Sequence, residues 1–234
     1  MKKLFLITLL LSANFIFSQQ SASLILNNDS DNYGGFNMKN GVWIKNKEVE
    51  TDIVGTNYLF KNWLNKAVVY DNEDKGYKLP NCNFNIQYNR FESNLSDVSV
   101  DSIFSFDSRT IKKFVIANKT FLKKKVDGKG SNYFMELIAL GTEFSLYKEY
   151  SSKLVYAQVN PMTSQKLGND MIKISEEYYT EKDGVLTPLK QKKSAILSLM
   201  STKKKEVKSF IKENKLSVSN EADLYKIFNY YNSL

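Results

Sequence analysis

Histidine is missing from the chain, and cysteine occurs once in 234 residues. Without an imidazole there is no Ser-His-Asp or Cys-His nucleophile, no His-Glu-x-x-His zinc peptidase centre and no histidine-ligated metal. With Cys82 as the single thiol, thiolate metal clusters and dithiol redox chemistry are excluded as well. Arginine is scarce too, with Arg90 and Arg109 standing among 33 basic residues. Arginine supplies the bidentate contacts to bases and phosphates, so sequence-specific nucleic-acid binding is not expected. Neither Gly-x-x-x-x-Gly-Lys-Ser/Thr nor Gly-x-Gly-x-x-Gly occurs, which removes support for a phosphate-cradling loop. Beyond residue 18 no apolar run approaches the roughly twenty residues of a spanning helix. No cofactor and no metal is expected.

Apolar material is nevertheless ample. At 42% hydrophobic and 13% aromatic residues, a sizeable core can be buried. Part of the apolar content sits at the start, where Lys2-Lys3 precedes Leu4 to Leu11, and Phe17-Ser18 offers a cleavage point before Gln19. This pattern predicts a signal peptide over 1–18 and a single exported domain over 19–234, periplasmic or extracellular. No cysteine near the cut offers a lipid attachment site. Loss of Lys2 and Lys3 would lower the net charge of +8 by two. An exported chain with one thiol is not a disulfide scaffold, and Cys82 reads as a small, partly buried strand residue.

Residues 19–40 are rich in Asn, Ser and Gly and read as an exposed lead-in. Its Asn27 to Asn32 run lacks the glycine and distal glutamate of a calcium loop. From 41 to 190 the pattern is β-rich. Short strands are expected at Gly41 to Lys45, Ala67 to Tyr70, Tyr77 to Leu79, Asn83 to Tyr88, Ser102 to Phe106 and Lys113 to Ile116. Asp71 to Gly76 reads as a hairpin loop with Gly76 taking the positive φ, and Lys123 to Gly130 as a polar turn. Hairpins are also expected around Gly141-Thr142 and Asp183-Gly184, with a loop over 160–169 between them. From 191 to 234 the period becomes helical. Thr202 is expected to cap a helix carrying Val207, Phe210 and Ile211, and Ser219 or Asn220 one carrying Leu224, Ile227, Phe228 and Tyr231. The fold class is α+β: an antiparallel β meander, open or curled toward a half-barrel, followed by a C-terminal helical segment.

Carboxylate-pair hydrolysis survives the exclusions because it needs only Asp and Glu. Its candidates are Glu136, Glu143, Glu176 and Glu177, although the last two adjoin and would face opposite ways on a strand. No catalytic residue is assigned. Nine lysines between Lys190 and Lys215, against Glu206 and Glu213, could contact an anionic envelope surface. Equally they could solvate the outer faces of packed helices. Trp43 and Trp63 could line a cleft or fill the core.

The segment Tyr58-Leu59-Phe60-Lys61-Asn62-Trp63, the Val68-Val69-Tyr70 strand, and Asn83-Phe84-Asn85-Ile86 resemble a group of exported Bacteroidetes proteins of flavobacterial type. The ending, with Asn214-Lys215-Leu216 and Phe228-Asn229-Tyr230-Tyr231, is similar to theirs, as is Phe17-Ser18-Gln19. The resemblance implies a Gram-negative envelope or secreted location and brings neither an activity nor catalytic residues. The expected role is a non-enzymatic binding or structural module. The alternatives are a carboxylate-dependent glycan hydrolase and a carrier holding an apolar ligand inside a curled sheet.

Overall fold

The computed structural model describes residues 32–33, 35–37, 41–45, 52–95, 102–126 and 132–234. The signal peptide expected over 1–18, the lead-in to residue 31 and the distal part of the Lys123 to Gly130 turn lie outside them. A small ribbon pairs β1 (Asn32–Tyr33) with β2 (Phe36–Asn37). The large sheet contains β3 (Gly41–Lys45), β4 (Ile53–Val54), β5 (Asn65–Asp71), β6 (Gly76–Asn85), β7 (Arg90–Ser93), β8 (Ser102–Phe106) and β9 (Ile111–Ile116). It continues through β10 (Lys119–Lys125), β11 (Asn132–Ala139), β12 (Ser145–Val155), β13 (Asp170–Lys182) and β14 (Val185–Leu189). Its order is β14-β13-β12-β11-β10-β9-β5-β6-β7-β8-β3, an open path. Every pairing along that path is antiparallel, while β4 adds a short parallel pairing to β13 that makes the sheet mixed.

The sheet is curled on itself. Phe91 on β7 and Phe114 on β9 are three strand spacings apart along the ladder, about 14 Å in a flat sheet. Their rings nevertheless stack with centroids 3.6 Å apart. Phe134 on β11, five spacings away, meets the Phe91 ring edge-on at 5.1 Å. The β5–β8 half therefore folds over β9–β11, and Phe84, Phe91, Phe114 and Phe121 fill the space between. The turn after β6 is tied to the opposite wall, where Asn89 exchanges hydrogen bonds with the Phe134 backbone at 2.7 and 3.1 Å.

Several details depart from the sequence reading. Lys123 to Lys125 do not begin a turn but end β10, paired with Phe134, Tyr133 and Asn132 of β11, because their backbone groups find ladder partners there. Tyr77 to Leu79 and Asn83 to Asn85 belong to one strand, because Pro80 and Asn81 form a bulge there. Pro80 has no N–H to donate, and Asn81 takes φ 50°. The chain then turns over Ile86 to Asn89, so Tyr88 is not on a strand. In the Asp71 to Gly76 loop the positive φ falls on Asp74, at 64°, rather than on Gly76. Asp71 organises that loop by accepting from the backbone N–H groups of Glu73 and Lys75. The Asp183-Gly184 turn has both residues at positive φ, as a two-residue type I′ hairpin requires.

On β11–β13, near β14, lie α1 (Lys193–Leu199), α2 (Lys204–Glu213) and α3 (Glu221–Ser233). Ile196, Val207, Ile211, Leu224, Ile227 and Phe228 cover Ala139, Leu146 and Tyr178 as a second apolar core. Asn220 caps α3 by accepting from the Asp223 N–H at 3.1 Å. Thr202 does not cap α2, which follows directly on a short 3-10 turn. Its hydroxyl lies 2.8 Å from that of Tyr231 on α3 instead. Among the described residues no helix is long and apolar enough to cross a membrane.

Candidate functional site

Register places a charged row between the two cores. Glu136 on β11 lies opposite Lys148 on β12, which lies opposite Tyr178 on β13. Phe121 flanks this row on the side of the curled half, so the row forms a polar seam between two apolar regions. The Lys148 side chain is only 4% exposed. Its ammonium is 2.5 Å from Glu221 at the start of α3, 3.4 Å from Glu136 and 3.9 Å from Glu176. Tyr150 donates to Glu136 at 2.5 Å, Tyr178 donates to Glu221 at 2.6 Å, and Lys119 reaches Glu136 at 2.7 Å.

Two of the four candidate acids thus come together and two do not. Glu136 and Glu176 join the seam. Glu177 is the acceptor of the Tyr179 hydroxyl at 3.3 Å, and Glu143 sits on the exposed β11–β12 turn beside Lys182. Lys148, Glu221, Tyr150 and Tyr178 complete the seam, and sequence reasoning does not single them out. One signal was present: the alternating series Phe144, Leu146, Lys148, Tyr150 has a lysine at an inward position.

Burial works against the Lys148 ammonium, but Glu221 and Glu136 outweigh it and raise its pKa. Burial likewise opposes the Glu221 carboxylate, yet hydrogen bonds from Lys148 and Tyr178 hold it below the ordinary 4.5. The phenols of Tyr150 and Tyr178 are pushed up by burial and then by their carboxylate partners, so they act as neutral donors. A carboxyl depressed by folding contributes stability that is complete above 4.5 and fades as pH falls through the folded value. For Lys148 the sense is reversed: its contribution is complete below 10.5 and is lost as pH climbs through the raised value. The hold of α3 on the sheet is therefore expected to persist from about pH 5 to 10. Urea midpoints measured against pH should fall on the acid side, and Glu221→Gln should flatten that limb. An acid limb unchanged in Glu221→Gln would contradict the assignment.

A second buried acid is also surrounded by donors. Glu92 accepts from Arg90 Nε at 2.5 Å, from the Tyr58 hydroxyl at 2.6 Å and from Asn85 Nδ2 at 3.3 Å. Cys82 is fully buried, and burial pushes its thiol up to about 12, the opposite of what a nucleophile needs. Trp63 packs edge-on against Tyr58, and Trp43 against Phe104 at the β3 edge.

No family model matches this chain, and neither does any curated protein or solved structure. A retaining glycosidase needs its two carboxyls about 5 Å apart with the glycosidic bond between them, and one of them must be raised to serve as acid. Here the Lys148 ammonium fills the space between Glu136 and Glu221, and Glu221 is lowered. The arrangement suits a latch between helix and sheet.

The lysine-rich helices present a different surface. Of the nine lysines from Lys190 to Lys215, all but the half-buried Lys203 are exposed. None of them pairs with an acid among the described residues.

Proposed function

We propose that this chain is an exported, non-enzymatic binding module, delivered by residues 1–18 and acting in the periplasm or outside the cell. The observation supporting the non-enzymatic half is the position of Lys148 between Glu136 and Glu221, which fills the space between these two acids. The stacked phenylalanines inside the curl argue against an apolar carrier, because ring-to-ring contacts fill the space where a ligand would sit. Export rests on the Lys2-Lys3, Leu4 to Leu11 and Ser18-Gln19 pattern, and on the resemblance to exported Bacteroidetes proteins.

Both halves have a direct test. Protein recovered from the envelope or the medium should have an N-terminus close to Gln19. An intact Met1 in the cytoplasm would refute export. Across a panel of aryl glycosides and envelope glycans no turnover is expected. Turnover that disappears in Glu176→Gln or Glu221→Gln would establish the hydrolase instead.

A further inference from the structure

Strands β12 and β13 run on beyond the rest of the sheet. Strand β12 pairs with β11 only as far as Lys148, and β14 pairs with β13 only from Tyr178 onward. From Ser151 to Val155 and from Met171 to Ser175 the two strands pair with each other, flanked on the β13 side near Met171 by β4. A two-stranded hairpin is marginal in water, and this arm carries apolar side chains that no core covers. At its tip Tyr156 is 72% exposed, Val159 52%, Met162 95% and Leu167 65%. Val155 and Met171 lie opposite each other just behind the tip, and both are exposed.

Three further observations indicate what covers the tip. The first is charge. From Ser151 to Ser175 the arm has Lys153, Lys166 and Lys173 against the single acid Asp170, which is already held by Lys166 and by the Ala157 N–H. The second is placement. Lys153 and Lys173 are direct cross-strand partners, both exposed, and like charges so placed repel unless an anion lies against them. Along that face the order from the tip is the apolar pair Val155 and Met171, then the lysine pair, then Ser151 and Ser175. The third is the backbone of the tip. Asn160 accepts from the N–H groups of Met162 and Thr163 through its side chain, and from Ser164 through its carbonyl. The N–H groups of Asn160 and Leu167 are also taken up within the loop. A loop that satisfies its own donors can enter an apolar phase without stranding them.

We infer that the β12–β13 arm docks on a bilayer containing anionic phospholipid, its tip entering the interfacial region while Lys153 and Lys173 meet the headgroup phosphates. The inference rests on the reading of the chain as a binding module and names the surface it binds. It places the contact on the arm, away from the lysine-rich helices.

The test uses the full chain with Met162→Cys carrying an environment-sensitive fluorophore; Cys82 is buried and stays unlabelled. Vesicles of phosphatidylcholine with phosphatidylglycerol should raise the emission, and pure phosphatidylcholine should do so far less. Lys153→Glu/Lys173→Glu should weaken the response at least about tenfold. The same label at Ser209→Cys on α2 should stay silent. Vesicle association with a silent label at 162, or a response at 209 alone, would assign the contact elsewhere and overturn the proposal. A signal that depends on protein concentration without vesicles would mean self-association, and would overturn it too. Since the measurement uses purified protein, failure of the export reading would leave its result unchanged.

Discussion

Lys148→Ala is expected to destabilise the fold by about 3–5 kcal/mol, the cost of leaving the buried Glu136 and the half-buried Glu221 short of a counter-charge. Glu136 is itself buried, and Lys148 and Lys119 are the cations that face it. Loss of Lys148 also releases Glu221, and with it one of the ties that hold the first turn of α3 to the sheet. A typical domain has only about 5–15 kcal/mol in total, so this variant should unfold at a much lower urea concentration. Removing the charges together should be milder. Lys148→Met combined with Glu136→Gln and Glu221→Gln should recover much of the loss, since a well-packed neutral substitute often matches a buried ion cluster. A loss below about 1 kcal/mol for Lys148→Ala would mean that the seam behaves as a surface ion pair.

Phe91→Ala should have an effect of similar size for a different reason. Its ring stacks on Phe114 and touches Phe84, Phe121 and Phe134, so truncation opens a void between the two walls of the curl. Removal of a buried phenylalanine costs about 3–5 kcal/mol, which in a chain of this size lowers the melting temperature by roughly 6–20 °C. Phe91→Leu should lose clearly less, because the void is partly refilled. Calorimetry on the two variants separates the outcomes. Equal, small shifts would show that the walls are held by their strands alone.

Most of the architecture could be read from local chemistry. Strand composition marks Ser102 to Phe106 and Lys113 to Ile116, Asp183-Gly184 marks a hairpin, and the Leu224, Ile227, Phe228, Tyr231 stripe is the buried face of α3. The failures have specific causes. Pro80-Asn81 looks like a break between strands, yet a bulge absorbs it, since only pairing partners decide whether a strand continues past such a residue. Thr202 has cap chemistry but spends its hydroxyl on Tyr231. The curl could be raised as an option but not established, because nothing local says that β7 faces β9. The seam was harder still. Its members Lys119, Glu136, Lys148, Tyr178 and Glu221 come from four strands and a helix, and register alone brings them together. Glu136 and Glu176, two of the four acids that carboxylate chemistry singles out in the sequence, lie in this seam. A lysine at the inward position of β12 makes them counter-ions.

The pairing order also bears on how the chain acquires its shape. Along the path from β9 to β14 each strand pairs with the next in sequence, the short addition of β4 to β13 aside, so these closures are local and entropically cheap. The curled half is different: β5 must find β9 after β6, β7 and β8 have intervened, as when Val69 meets Phe114. Sheets assembled from such distant partners form slowly. The later strands should therefore gain protection from hydrogen exchange first, offering β9 as the template on which the earlier half condenses.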